Sequence, residues 1–291
     1  MQIEDLEIYL ISDGVVRMDA GGIFGLVPRI LYQHYLTPDS DNTVPMMLTC
    51  MLVRSRGKTI LIDSGLGNKL SREDAKHWRI DRKDGGLIEG LAEIEISPQD
   101  IDIVINTHLH ADHCGGNTRK KGKAFEATFP TAEYWVQRIE WADASHPDAR
   151  TQGTYFSMNF SPLMEEGQVR VLHGDTEVTD QVHCVLTPGH TRGHQSILLQ
   201  AGAWSGLFLG DMASYSAHFA HTSWLTAYDV LPLENVITKQ RWQRWALEKD
   251  AWLFLDHDPL MPVARLVERD GRREVEAFEA ARPVIDSLPK H

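Results

Sequence analysis

Cysteine is scarce in this chain: three residues in 291, at Cys50, Cys114 and Cys184. A small, odd and widely spaced set is not a disulfide framework. Cys50 and Cys184 lie in apolar runs, Leu48 to Val53 and Val182 to Leu186, where a thiol packs as a small hydrophobe. Long hydrophobic runs are missing too, none approaching the roughly 18 residues of a membrane-spanning helix. Met1 to Tyr9 alternates acidic and apolar residues and lacks the basic and apolar regions of a secretory leader. The expectation is a cytoplasmic protein without a membrane partner. Positive charge is in deficit, with 29 Lys and Arg against 41 Asp and Glu, a net charge of −12. The basic clusters, Arg119-Lys120-Lys121 and Arg272-Arg273, are short and read as solvated surface. Nucleic acid, which needs a concentrated positive surface, is excluded as the expected partner.

What is present suits a folded enzyme. Hydrophobic residues make up 42% of the chain, and a chain of this length buries roughly three quarters of its unfolded surface without needing disulfides. Apolar and β-branched runs broken by turn residues predict strands at Leu6 to Met18, Met46 to Arg54, Thr59 to Asp63 and Ile101 to Asn106. In the second half they recur at Gln168 to Leu172, Gln181 to Leu186, Gln195 to Gln200, Gly206 to Leu209 and Trp252 to Leu255. Helical spacing predicts helices over Glu133 to Ala144, Leu233 to Leu247 and Val275 to Leu288, the last interrupted by Pro283. Strand runs followed by helices, twice over, predict two packed sheets with helices outside. With no linker between the halves, residues 1–291 read as one domain. Gly21-Gly22-Ile23-Phe24-Gly25 lacks phosphate-loop spacing and reads as a turn. The Ile23 to Tyr35 segment after it is either a homodimer arm or a pocket lid.

The segment that carries chemistry is Ile103 to His113, an apolar strand running into His108-Leu109-His110-Ala111-Asp112-His113. In extended chain His108 and His110 share a face. A helix starting after His110 would turn Asp112 and His113 towards the same spot. That spacing serves a metal pair, two imidazoles for one ion and a carboxylate with an imidazole for the other. Imidazole and carboxylate without thiolate suit zinc, and also iron, manganese or cobalt. Three more apolar strands end in a titratable residue: Val185 to His190, Leu207 to Asp211 and Trp252 to His257.

The order His-x-His-x-Asp-His, Pro-Gly-His, Gly-Asp and a late His resembles the metallo-β-lactamase-fold hydrolases, over about Leu6 to His257. The resemblance implies an α/β fold, the four-layer αββα sandwich. It also implies two divalent ions, zinc foremost, with His108, His110 and His190 on one, Asp112, His113 and His257 on the other, and Asp211 bridging. The zinc β-lactamases of the best-known subclasses have cysteine where this chain has Asp211. Lactonases, glyoxalase II-type thioesterases and several phosphoesterases have the carboxylate. The Gly21 to Pro28 segment is similar to lactonase-like and organophosphate-hydrolase-like members.

The expected reaction is therefore attack by a metal-bridging hydroxide on a lactone or similar small carboxylic ester, with Asp112 as both ligand and proton carrier. A phosphotriester or phosphodiester on the same metals is the alternative, and an iron-dependent redox protein on the same fold is the alternative of another class. In related lactonases a tyrosine just after the bridging aspartate polarises the substrate carbonyl. Tyr215 lies near that place at a different offset, so it is either catalytic or packing. Asp63 either orients a ligand histidine or makes a local turn. His194 is read as ordering the His190 loop, Cys114 as buried filler, and Trp224 and Tyr228 as candidates to line the pocket.

Overall fold

A computed structural model describes residues 1–278. Two seven-stranded sheets dominate it. In the first, Gln2–Ile3, Leu6–Asp19, Thr43–Ser55, Lys58–Ile62, Ile103–Ile105, Glu133–Gln137 and Val169–Leu172 lie side by side in that order. The first four pair antiparallel, and the rest continue parallel. Thr43–Ser55 is nearly continuous in apolar residues, and it is buried along almost its whole length as a central strand must be. The second sheet runs Thr176–Thr179, Val182–Leu186, Gln195–Ala201, Trp204–Phe208, Trp252–Phe254, Val263–Arg269 and Arg272–Ala277. Its single parallel pair is Trp204–Phe208 with Trp252–Phe254.

The sheets meet through an interior that includes Ile8, Val53, Ile62 and Ile105 from one face and Cys184, Ile197, Phe208 and Phe254 from the other. Each such side chain, fully buried, stabilises the fold by roughly 1.5–3 kcal/mol relative to exposure. Leu87 and Leu91 of the Leu87–Glu93 helix cover the outer face of the first sheet, against Leu52, Leu61 and Val104. Trp242 and Ala246 of the Pro232–Lys249 helix cover the outer face of the second, against Leu207, Leu253 and Leu266. The expected helix–sheet–sheet–helix sandwich is thus the observed one. Among the described residues no helix is long and apolar enough to cross a membrane.

Two expected helices need correction. Glu133 to Ala144 divides into the strand Glu133–Gln137 and the helix Arg138–Ser145. Tyr134, Trp135 and Val136 are all buried, and a short apolar run of this kind fits a buried strand as well as a helix. Val275 to Ala277 belong to the strand Arg272–Ala277, which forms a hairpin with Val263–Arg269 through Asp270-Gly271. From residue 279 onward that expected helix lies outside the described residues. The Gly21 to Gly25 turn is a five-residue helix, Ala20–Phe24, capped by the Asp19 carboxylate. Beyond it Phe24 and Tyr32 are buried and stacked, while Leu26, Ile30 and Leu31 face outward.

The turn after Asp112-His113 is fixed by backbone contact. A Cβ at Gly115 would strike the Leu66 carbonyl, and one at Gly116 the Ser64 carbonyl. Buried Lys69 donates to the carbonyls of Gly115 and Thr118, locking the same turn. Gly116→Ala is expected to cost about 1–3 kcal/mol through overpacking. The thermal midpoint should fall by several degrees, whereas Gly153→Ala, with open space around it, should leave it in place; differential scanning calorimetry of both variants checks this.

Candidate metal centre

The strands that pair parallel all end at the same edge of the sandwich, and their carboxyl ends supply the site, as open parallel sheets commonly arrange. Asp63 follows Lys58–Ile62, and His108 follows Ile103–Ile105 within three residues. His110 is the N-cap of the short Ala111–Cys114 helix, which carries Asp112 and His113. From the second sheet, His190 follows Val182–Leu186, Asp211 follows Trp204–Phe208 and His257 follows Trp252–Phe254.

These residues form two groups sharing one carboxylate. His108, His110, His190 and Asp211 offer ligand atoms all within 4.8 Å of one another, and so do His113, Asp211, Asp256 and His257. Asp211 Oδ2 lies 3.1 Å from His190 Nε2, 3.5 Å from His113 Nε2 and 3.8 Å from His108 Nε2. Its Oδ1 lies 3.2 Å from His257 Nε2. Asp112 Oδ2 stands 3.8 Å from both His113 Nε2 and His257 Nε2, on the more open side.

The imidazoles present bare nitrogens to this space. His190 Nε2 faces His110 Nδ1 at 3.0 Å, and His113 Nε2 faces His257 Nε2 at 3.1 Å. On three of these rings the opposite nitrogen is spoken for, whereas His110 Nε2 is buried without a hydrogen-bond partner. His113 Nδ1 donates to Asp63 at 2.9 Å, His190 Nδ1 to Asp229 at 2.9 Å and His257 Nδ1 to the Met47 carbonyl at 2.6 Å. Each of these bonds occupies Nδ1 and turns Nε2 towards Asp211. In the neutral rings those nitrogens present lone pairs to a buried carboxylate, an arrangement that calls for a cation, either a metal ion or a proton. An oxygen-and-nitrogen donor set of this kind fits one or two borderline divalent ions.

The charges respond to the same crowding. Burial pushes His108 and His110 well below the usual histidine range, and neighbouring histidines push them further. Burial also opposes charge on the other three, but carboxylates outweigh it. Asp112 and Asp63 raise His113 well above its usual value, Asp211 and Asp229 raise His190, and Asp256 and Asp211 lift His257 to about 10. Asp211 overcomes its own burial through His190 and His257 and lies well below the carboxylate range.

Several residues support these ligands, and of them Asp63 carries a sequence signal while Asp229 and Glu140 carry none. Asp63 takes the orienting role, since it also accepts from the Thr107 amide and hydroxyl, each at 2.8 Å. Asp229 holds His190, and it is itself held by Thr226 and Asn235, each at 2.9 Å. Buried Glu140 accepts from the Leu109 amide at 2.9 Å, from Tyr155 at 3.1 Å and from Thr191 at 2.6 Å, tying the two histidine loops together. Asp256, unassigned from sequence although it directly precedes His257, is fully buried beside His113 and His257, and burial lifts it to about 6.

Tyr215 takes the packing alternative. It is fully buried, and its hydroxyl donates to the Pro45 carbonyl at 2.8 Å, so the expected catalytic role finds no support in this geometry. Cys114 is buried with its thiol on the Leu109 carbonyl. His194 packs on the Gly210 backbone and is held by the Thr187 hydroxyl at 2.8 Å.

Replacing either orienting carboxylate should weaken metal binding before it unfolds the chain. Asp63→Asn and Asp229→Asn are each expected to weaken metal affinity about 10- to 100-fold, read by competition against a chromophoric chelator. Stripping the wild type with chelator should lower its thermal midpoint, the loss of stability being about 4 kcal/mol where metal had been present at a thousand times its Kd.

Residues 44–235 match the sequence model of the Metallo-beta-lactamase superfamily. N-acyl homoserine lactonase AttM of Rhizobium radiobacter is 25% identical over 271 residues, covering 88% of this chain and 94% of its own length. An N-acyl homoserine lactonase from a Bacillus species is 27% identical over 196 residues, covering 62% of this chain and 68% of its own. Among solved structures, a probable metal-dependent hydrolase from Staphylococcus aureus superposes with a TM-score of 0.88 at 26% identity, over 99% of this chain and 100% of that one. The fold is also that of AidC, a dizinc quorum-quenching lactonase, at a TM-score of 0.78 and 18% identity over 96% of each chain. With its family match spanning well over half of its residues, this chain belongs to the metallo-beta-lactamase superfamily.

Proposed function

We propose that the chain opens lactones, or cleaves similarly small carboxylic esters, at a dinuclear metal site. His108, His110 and His190 would hold one ion, Asp112, His113 and His257 the other, and Asp211 both. The observation that carries this reading is Asp211 shared by two groups of imidazole nitrogens, neither of which includes a cysteine. The curated relatives that align with most of this chain are named as lactonases, and an acidic chain of net charge −12 suits a neutral substrate better than a polyanion. Zinc is the metal this donor set favours, with iron, manganese or cobalt as substitutes.

When bound, such ions supply an activated water near neutral pH and draw electron density from the substrate carbonyl. The side chains do the rest. Asp63, Asp229 and the Met47 carbonyl hold three imidazoles in one tautomer. The Asp112 side chain, 12% exposed at the open edge of the cluster, is placed to take a proton on Oδ2 and deliver it to the departing ring oxygen.

Proton release followed in a pH-stat tests this, using zinc-loaded protein against lactones, aryl esters, phosphotriesters and a β-lactam. Turnover of lactones by the wild type, reduced to background in His190→Ala, is the expected outcome. Turnover of phosphotriesters with none of lactones would overturn the substrate class and leave the metal site standing.

A further inference from the structure

We infer that Asp256 is a third carboxylate donor to the ion assigned to Asp112, His113 and His257, and that it makes this position the one that accepts manganese. The inference rests on the dinuclear reading above and adds a residue to it. Asp256 follows the strand Trp252–Phe254 and directly precedes His257, and it is fully buried. The Thr49 amide donates to its backbone carbonyl at 3.0 Å. Its two carboxylate oxygens, by contrast, have no hydrogen-bond partner among the described residues. A buried carboxylate in that state is costly, and three kinds of partner can meet its charge.

Side-chain protons are the first. Among the described residues the basic groups within 4 Å of Asp256 Oδ2 are His113, whose Nδ1 is 3.9 Å away, and His257, whose Nε2 is 3.6 Å away. The Nδ1 protons of both rings are already given, to Asp63 and to the Met47 carbonyl. A proton on Asp256 itself would not help, since neither oxygen has an acceptor to receive it. Water is the second. The void that Asp256 borders with Thr49, Asp63, Asp112 and His113 is too tight for a water molecule. A divalent ion, smaller than water, is the third, and the geometry supports it. An Asp256 oxygen lies within 4.8 Å of ligand atoms of His113, Asp211 and His257. Asp112 borders the same void and stands 3.8 Å from Nε2 of both histidines. The two ion positions then differ in kind. One gathers three imidazoles and a single carboxylate, Asp211. The other gathers two imidazoles and three carboxylates, Asp112, Asp211 and Asp256. Imidazole-rich sets suit zinc, whereas carboxylate-rich sets suit manganese.

Metal-free protein given one equivalent of zinc and then titrated with manganese tests this, free manganese being read from its electron paramagnetic resonance signal. The wild type is expected to bind one manganese per chain. Asp256→Asn keeps the shape and removes the charge. It should weaken manganese binding at least about tenfold and hold the zinc as the wild type does, whereas a merely structural role would loosen both metals together. Asp256→Ser repeats the test with a smaller side chain. Crystals of the wild type with zinc in both positions give a measure that needs no variant: an Asp256 oxygen should stand about 2.0–2.2 Å from the second ion. Unchanged manganese affinity in a folded Asp256 variant would overturn the inference, as would an Asp256 carboxylate outside bonding distance in those crystals. So would a wild type that takes up two zinc ions and no manganese. Failure on lactones would overturn the hydrolase reading alone, because every readout here is metal binding.

Discussion

One buried carboxylate governs this end of the molecule. Asp211 is 7% exposed, yet four imidazole nitrogens from three other chain segments lie within 4 Å of it. Isolated at such depth, an ionised carboxylate would cost several kcal/mol in lost solvation. It becomes tolerable only where positive charge is supplied, whether by divalent ions or by protons on histidine. The three histidines held by other carboxylates or by a carbonyl are those nearest to it, so the same few contacts orient the ligands and settle the charge. Because Asp211 leaves the second sheet while His108 to His113 leave the first, satisfying it also fixes how the two sheets end relative to one another.

That dependence explains which parts were legible in the sequence. His108, His110, Asp112 and His113 stand within six residues at the end of a buried strand, and such local density has few structural causes. His190, Asp211 and His257 each terminate an apolar run at a turn, a weaker signal that gained force from the first cluster. Of the groups behind them, Asp63 was legible as one of two readings, and Asp229 and Glu140 were not. Asp229 lies 39 residues from His190 and Glu140 lies 31 from Leu109. No local pattern distinguishes either from a surface acid, and only the closure of the fold makes each an internal partner. The fold shows the same division. Strands buried on both faces, such as Thr43–Ser55, announce themselves. The hairpin of Val263–Arg269 and Arg272–Ala277 does not, because its exposed edge carries Arg and Glu at spacings that also suit a helix. Asp270-Gly271 was the available hint, a strong hairpin pair set among charges that obscured it.

Glu140 brings these observations to a single physical point. It is fully buried with no cationic side chain as its hydrogen-bond partner among the described residues, and burial raises its pKa. What it has instead are three donors: the amide next to His108 and His110, a hydroxyl next to His190, and the phenol of Tyr155. A buried acid satisfied this way is costly if any one donor is lost, because the remaining desolvation is uncompensated. The backbone of Gly193 packs directly on the Glu140 backbone, leaving no space for a side chain, so neither loop can shift without breaking the set. The precision of the His110–His190 pair therefore resides outside the pair, in an acid that hydrogen-bonds to neither ring. Residues of this kind set the spacing on which metal chemistry depends, and they are found only by following each buried donor to its acceptor.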